Sequence, residues 1–153
     1  MKNSTELKRQ LYKFCVDFIE ERLAVVKNTI EEIRESLQSE TKSSAGDKHE
    51  TGRAMLQLER EKAGNQLVEI QKIKTLLSRI DTTRSSEVVG LGSLVFTSKA
   101  NYYLAISAGE FTIDGKKFYA ISPQAPIGNL LLGKVKADEI SFRETKFTIV
   151  KVL

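Results

Sequence analysis

Asp47 and Glu50 are the residues of this 153-residue chain best placed to do chemistry: two carboxylates three positions apart, inside the polar stretch Glu40–Arg53. Carried on a helix, that spacing puts both on one face. Magnesium takes near-octahedral oxygen coordination and keeps several waters, so two carboxylates make only half a site and need ligands from elsewhere. The pair also reads as a capping box, with Asp47 accepting backbone amides at a helix start and Glu50 folding back over the first turn. The two readings are compatible, since one acid can cap while the other points outward. His49 lies between them, and an imidazole ionises near neutrality, which suits a general base; a solvated turn residue is the simpler reading.

Cys15 is the only cysteine and His49 the only histidine, which excludes a disulfide framework and every zinc site built from cysteine and histidine. Cys15 sits in the apolar run Phe14-Cys15-Val16 and reads as a buried structural thiol rather than a nucleophile. Gly133-Lys134 lacks the glycine before and the Ser or Thr after it that a phosphate-binding loop requires, so nucleotide binding through such a loop is not supported.

Long helices must position the tip acids. Both prolines, Pro123 and Pro126, lie in the last third, leaving the first 122 residues without the strongest helix breaker. Leu7, Leu11, Phe14, Phe18, then Ile19, Leu23, Val26, Ile30, Ile33 and Leu37 recur at three and four, with one slip at Phe18/Ile19. The spacing predicts a helix of roughly 35 residues, about 50 Å long. Leu56, Ala63, Leu67, Ile70, Ile73, Leu77 and Ile80 form a second stripe of the same kind. Each stripe is too narrow for a globular core, so the two helices are expected to pair as an antiparallel coiled-coil hairpin over residues 1–81, its tip at 40–53. Ser43, Ser44, Gly46 and Gly52 supply turn chemistry there, and Asp47 is placed to cap the second helix.

Residues 82–87 read as a linker, and from 88 to 153 the period changes to that of strands. Leu94–Thr97, Tyr102–Ile106, Lys117–Ile121 and Phe147–Val152 are expected strands, with Val135–Phe142 a further candidate and Pro126–Leu132 a short helix. Gly92, Gly109 and Asp114-Gly115 punctuate them. The fold class is α+β: a helical hairpin, then a small domain built on an antiparallel sheet. The net charge of +4 divides evenly, +2 on each side of residue 84, so no clustered positive charge marks a dedicated nucleic-acid binder. Without an apolar N-terminal stretch or a run of 18 apolar residues, the chain is expected to be cytoplasmic and free of membrane.

Two stretches resemble the bacterial Gre transcript-cleavage factors, which enter a secondary channel of RNA polymerase. Gly46-Asp47-Lys48-His49-Glu50 matches that family's Gly-Asp-x-x-Glu, and Ile121-Ser122-Pro123-Gln124-Ala125-Pro126-Ile127 through Gly133-Lys134 looks like its Ile-Ser-x-x-Ser-Pro-Ile-x-x-x-Leu-Ile-Gly-Lys. Hairpin and sheet domain also follow in the same order. After the tip glutamate the family continues Asn-Ala-Glu-Tyr, whereas this chain has Thr51-Gly52-Arg53-Ala54.

The resemblance implies an FKBP-like fold for the second domain, which would dock on the polymerase through Ser122, Pro123, Pro126 and Ile127. It implies that Asp47 and Glu50 complete the shell of a magnesium ion shared with the polymerase active centre, with no cofactor held tightly by this chain. Lys42, Lys48 and Arg53 would touch phosphates near the nascent RNA 3′ end. The chain would then be no enzyme itself, acting as a monomer to stimulate the polymerase's own hydrolysis of backtracked RNA. A channel occupant that tunes the polymerase without promoting cleavage is the alternative suggested by Thr51–Ala54. A prolyl isomerase or chaperone is more remote, since the sequence has no Trp to floor a proline pocket and Tyr102, Tyr103, Phe118 and Tyr119 read as ordinary strand residues.

Overall fold

A computed structural model describes the backbone of residues 3–42 and 46–153, and the side chains among these except those of residues 40–42 and 46–49. Its elements are α1 (Ser4–Lys42), α2 (Gly46–Ser78), β1 (Leu94–Thr97), β2 (Asn101–Leu104), β3 (Gly109–Ile113), β4 (Lys116–Ile121), α3 (Pro126–Leu131), β5 (Glu139–Phe142) and β6 (Thr145–Val152). The chain is α+β, as its periodicity requires. It divides into two compact units, Ile19–Lys74 and the combination of Met1–Phe18 with Thr75–Leu153. Among the described residues no helix is long and apolar enough to cross a membrane.

Within Ile19–Lys74 the two helices run antiparallel. Ile33 and Leu37 of α1 bury against Ala63 of α2, with Ile30 and Leu56 packed beside them. Glu20, early in α1, pairs with Lys74, late in α2, at 2.7 Å. On α2 the inward positions Leu56, Ala63, Ile70 and Leu77 recur every seven residues, the repeat that keeps a narrow seam facing its partner. Asn3 starts α1: its Oδ1 accepts the Glu6 amide at 2.8 Å, the geometry of a cap with an acid at the third position.

The second unit holds one six-stranded sheet in the order β3-β4-β2-β1-β6-β5. The sequence leads one to expect an antiparallel sheet; it is antiparallel except that β2 and β4 run parallel, Tyr102 opposite Tyr119 and Leu104 opposite Ile121. The cause is β3, which carries the chain past the place beside β2 before β4 returns into it. A two-residue turn, Asp114-Gly115 with φ of 50° and 78°, joins β3 to β4. Both residues at positive φ match the strands' twist, which is why Asp-Gly is favoured there.

Alternation along the strands makes both sheet faces apolar. Val95, Tyr102, Leu104, Ile140, Phe147 and Ile149 point to one face, where Leu131 of α3 joins them in a buried cluster. Leu94, Tyr103, Phe111 and Phe118 are buried as well. Phe14 of α1 stacks on Phe111 with ring centroids 4.1 Å apart, and Cys15 makes a hydrogen bond with the Ile106 backbone. The start of α1 thus belongs to the sheet's own core. A parallel strand pair is normally covered on both faces, and this one is.

Candidate functional site

The tip motif opens the second helix of the hairpin. α2 begins at Gly46, one residue ahead of the expected cap, so Asp47 and Glu50 both fall in its first turns. Glu50 is exposed. The side chains of Lys42, Asp47, Lys48 and His49 lie outside the described residues, so the capping role of Asp47 and the contacts of Lys42 and Lys48 do too. An acid in the first turn is favoured by the partial positive charge of the helix N-terminus, so the motif suits the place where it stands. Two carboxylates offered together fit half the oxygen shell of a hard cation.

Arg53 has a structural partner that its type alone did not reveal. Its Nη1 donates to the Leu37 carbonyl of α1 at 3.3 Å, while Leu37 itself is buried in the hairpin seam. The guanidinium therefore ties α2 to α1 one turn beyond Glu50. Arg53 follows directly on Gly52, within the four residues by which this chain departs from the Gre pattern.

The second candidate site lies between β4 and α3. Ser107 Oγ accepts the Ser122 amide at 3.1 Å, Ser122 Oγ accepts the Gln124 amide at 3.1 Å, and the Ser122 carbonyl accepts the Ala125 amide at 3.0 Å. These bonds wind the segment into a tight turn. Pro126 then takes the first helical position, where its missing N–H costs nothing. Gly128 packs directly on the Ser122 carbonyl, leaving no room for a Cβ. Of the expected docking residues Pro126 is exposed, Ser122 and Pro123 are half-buried, and Ile127 packs against the sheet core. Leu130, one helical turn on from Pro126, and Leu132, just past the end of α3, add exposed apolar surface, a contribution the sequence reading missed. Their signal was available: Leu130 lies one helical turn from Pro126 on the same short helix.

Ile127 also forms one wall of a cleft of about 580 Å³, with Tyr102, Tyr119, Ile121, Phe142 and Phe147 among the other walls. Tyr102 and Tyr119 pack in and against the sheet core as strand residues, and they also line this cleft: four aromatic residues, from β2, β4, β5 and β6, gather round one opening even without Trp. Tyr102 and Tyr119 are parallel-strand partners, so alternation places them on one face. Tyr103 and Phe118 point the other way and bury in the opposite core.

No family model matches the chain, and no curated protein matches it. Among solved structures it is similar to that of the transcription factor Gfh1, with 22% identity over 88% of this chain and 90% of that one and a TM-score of 0.34.

Proposed function

We propose that this chain regulates RNA polymerase, docking through the surface of Ser122, Pro123 and Pro126 and presenting Asp47 and Glu50 to the polymerase active centre. The observation that carries the reading is the placement of Gly46-Asp47-Lys48-His49-Glu50 at the start of the second helix of an antiparallel hairpin, with Glu50 exposed. The motifs that resemble the Gre factors support it. A magnesium ion held between the polymerase and these acids would offset charge developing on the RNA phosphodiester. The two carboxylates would orient a water by accepting its hydrogen bonds, and Lys42 and Lys48 would meet backbone phosphates. Arg53 serves first as the strap to Leu37 and only secondarily as a phosphate contact. Ile127 supports the docking surface from beneath. The chain contributes ligands and does not turn over RNA alone.

A second reading has one specific observation in its favour. Thr51–Ala54 departs in sequence from the Gre pattern just after the acids, and within it Arg53 is bound to the Leu37 carbonyl. A protein that occupies the channel and slows the polymerase without cleavage would tolerate that change. Adding the purified chain to a stalled, backtracked elongation complex separates the two. RNA shortened from its 3′ end supports the first, inhibition without shortening supports the second, and no effect with no binding removes both.

A further inference from the structure

Lys8 is an anomaly that the hairpin does not explain. It is only 4% exposed, and among the described residues its Nζ donates a single hydrogen bond, to the Arg84 carbonyl at 2.9 Å. Among the described residues it has no carboxylate in ion-pair contact. An ammonium has three donors, and burying one without a counter-charge is costly. Burial accordingly pushes its pKa below the usual lysine range.

The same lysine lines a recess of about 320 Å³ formed with Arg79, Arg84, Ser86, Gly90 and Ser93. Arg79 and Arg84 are exposed, whereas Ser93 is buried beside Lys8. Asp81 is the one acid of the lining, and its carboxylate already accepts from the Thr83 amide and hydroxyl at 2.9 and 2.6 Å. Ser86 Oγ accepts the Val88 amide and Ser93 Oγ the Gly90 amide, so the hydrogen of each hydroxyl remains for another acceptor. Three cations and two hydroxyl donors therefore line one space, against a single acid whose carboxylate is bonded to Thr83 and also feels the charge of Arg84.

We propose that this recess binds a small phosphate-bearing anion. The Lys8 ammonium supplies a point charge at the floor, and the Arg79 and Arg84 forks suit phosphate oxygens at the mouth. A volume near 320 Å³ exceeds one phosphate group and leaves space for a second phosphate or part of an attached group. The phosphates of a nucleic-acid duplex do not fit the description, because a backbone lying on the surface does not enter a recess whose lysine is a buried residue. The site is separate from the tip and from Ser122–Ile127, so it stands or falls without the polymerase reading.

Thermal unfolding of the full chain, titrated with inorganic phosphate, pyrophosphate or ADP at ionic strength held constant with chloride, tests it. At least one probe should raise the unfolding temperature of the wild type in a saturable manner. Lys8→Met and Arg79→Gln should each weaken that probe at least tenfold; Arg79 is exposed, so its variant keeps the test valid if Lys8→Met fails to fold. A response to phosphate alone identifies the anion as the whole ligand, and a stronger response to pyrophosphate or ADP shows that the attached group is also held. Absence of any shift beyond that of chloride, or equal titrations in wild type and Arg79→Gln, would overturn the proposal.

Discussion

Cys15 shows how one side chain records its surroundings. It is fully buried at the sheet face, and burial pushes its thiol up from 9.0 to about 12. Between those values the unfolded thiol ionises while the folded one keeps its proton, so the unfolded state binds fewer protons and stability falls as pH rises. Removing the thiol removes that slope. In urea unfolding near pH 7.5 and near pH 10, the stability advantage of wild type over Cys15→Ala should shrink by about 1 kcal/mol at the higher pH. A constant difference would mean that the thiol ionises equally in both states. The apolar run around Cys15 made its burial legible from sequence. Lys8 was not legible, because a charged residue near the polar-looking start of α1 gives no sign that tertiary packing will cover it.

At the scale of elements, the slip in the first stripe at Phe18/Ile19 falls where α1 passes from one compact unit to the other. Before it, Leu11, Phe14 and Cys15 face the sheet core; after it, Leu23, Val26 and Ile33 serve the seam with α2. A helix with two successive partners needs two phases, so the irregularity was the readable trace of its division of labour. Strand β3 was missed because Glu-Phe-Thr-Ile offers one buried residue, Phe111, between punctuating glycines. The β5–β6 hairpin was only half-read, since its turn uses Arg143 and Glu144 at φ of 48° and 64° without the Asn or Gly that normally signals such a turn.

The turn into α3 gives two predictions at this scale. Gly128→Ala forces a methyl into the Ser122 carbonyl, so the turn must shift; chemical unfolding should show a loss of about 1–3 kcal/mol. Pro126→Asp keeps a residue well suited to a first helical turn while placing charge on the exposed surface. Circular dichroism should be unchanged, and capture of RNA polymerase in a pull-down should fall at least tenfold. Unchanged capture would remove Pro126 from the docking surface.

For the molecule as a whole, the hairpin and the change to strands were legible because periodicity of 3.6 and of 2 is written directly in apolar spacing. What escaped was the result of distant segments meeting: the parallel β2–β4 pair, the aromatic cleft and the recess over Lys8. None has a local pattern. The tip acids stand out by type and by their place at the start of α2. Glu50 is exposed, which costs no core packing and gains little stability, so function is the consideration that separates it from other surface acids.

The first-order rate of RNA shortening in a stalled, backtracked elongation complex at saturating protein bears most directly on that function, measured for wild type, Asp47→Asn and Glu50→Gln across a magnesium titration. Both substitutions keep size and much of the hydrogen bonding while removing charge. Carboxylates that complete a magnesium shell predict cleavage by wild type, a fall of about a hundredfold or more in each variant with binding retained, and partial recovery as magnesium is raised. Carboxylates that only cap the helix predict a local loss near 1 kcal/mol and little change in rate. Equal rates for all three proteins would contradict the assignment of Asp47 and Glu50 to the reaction.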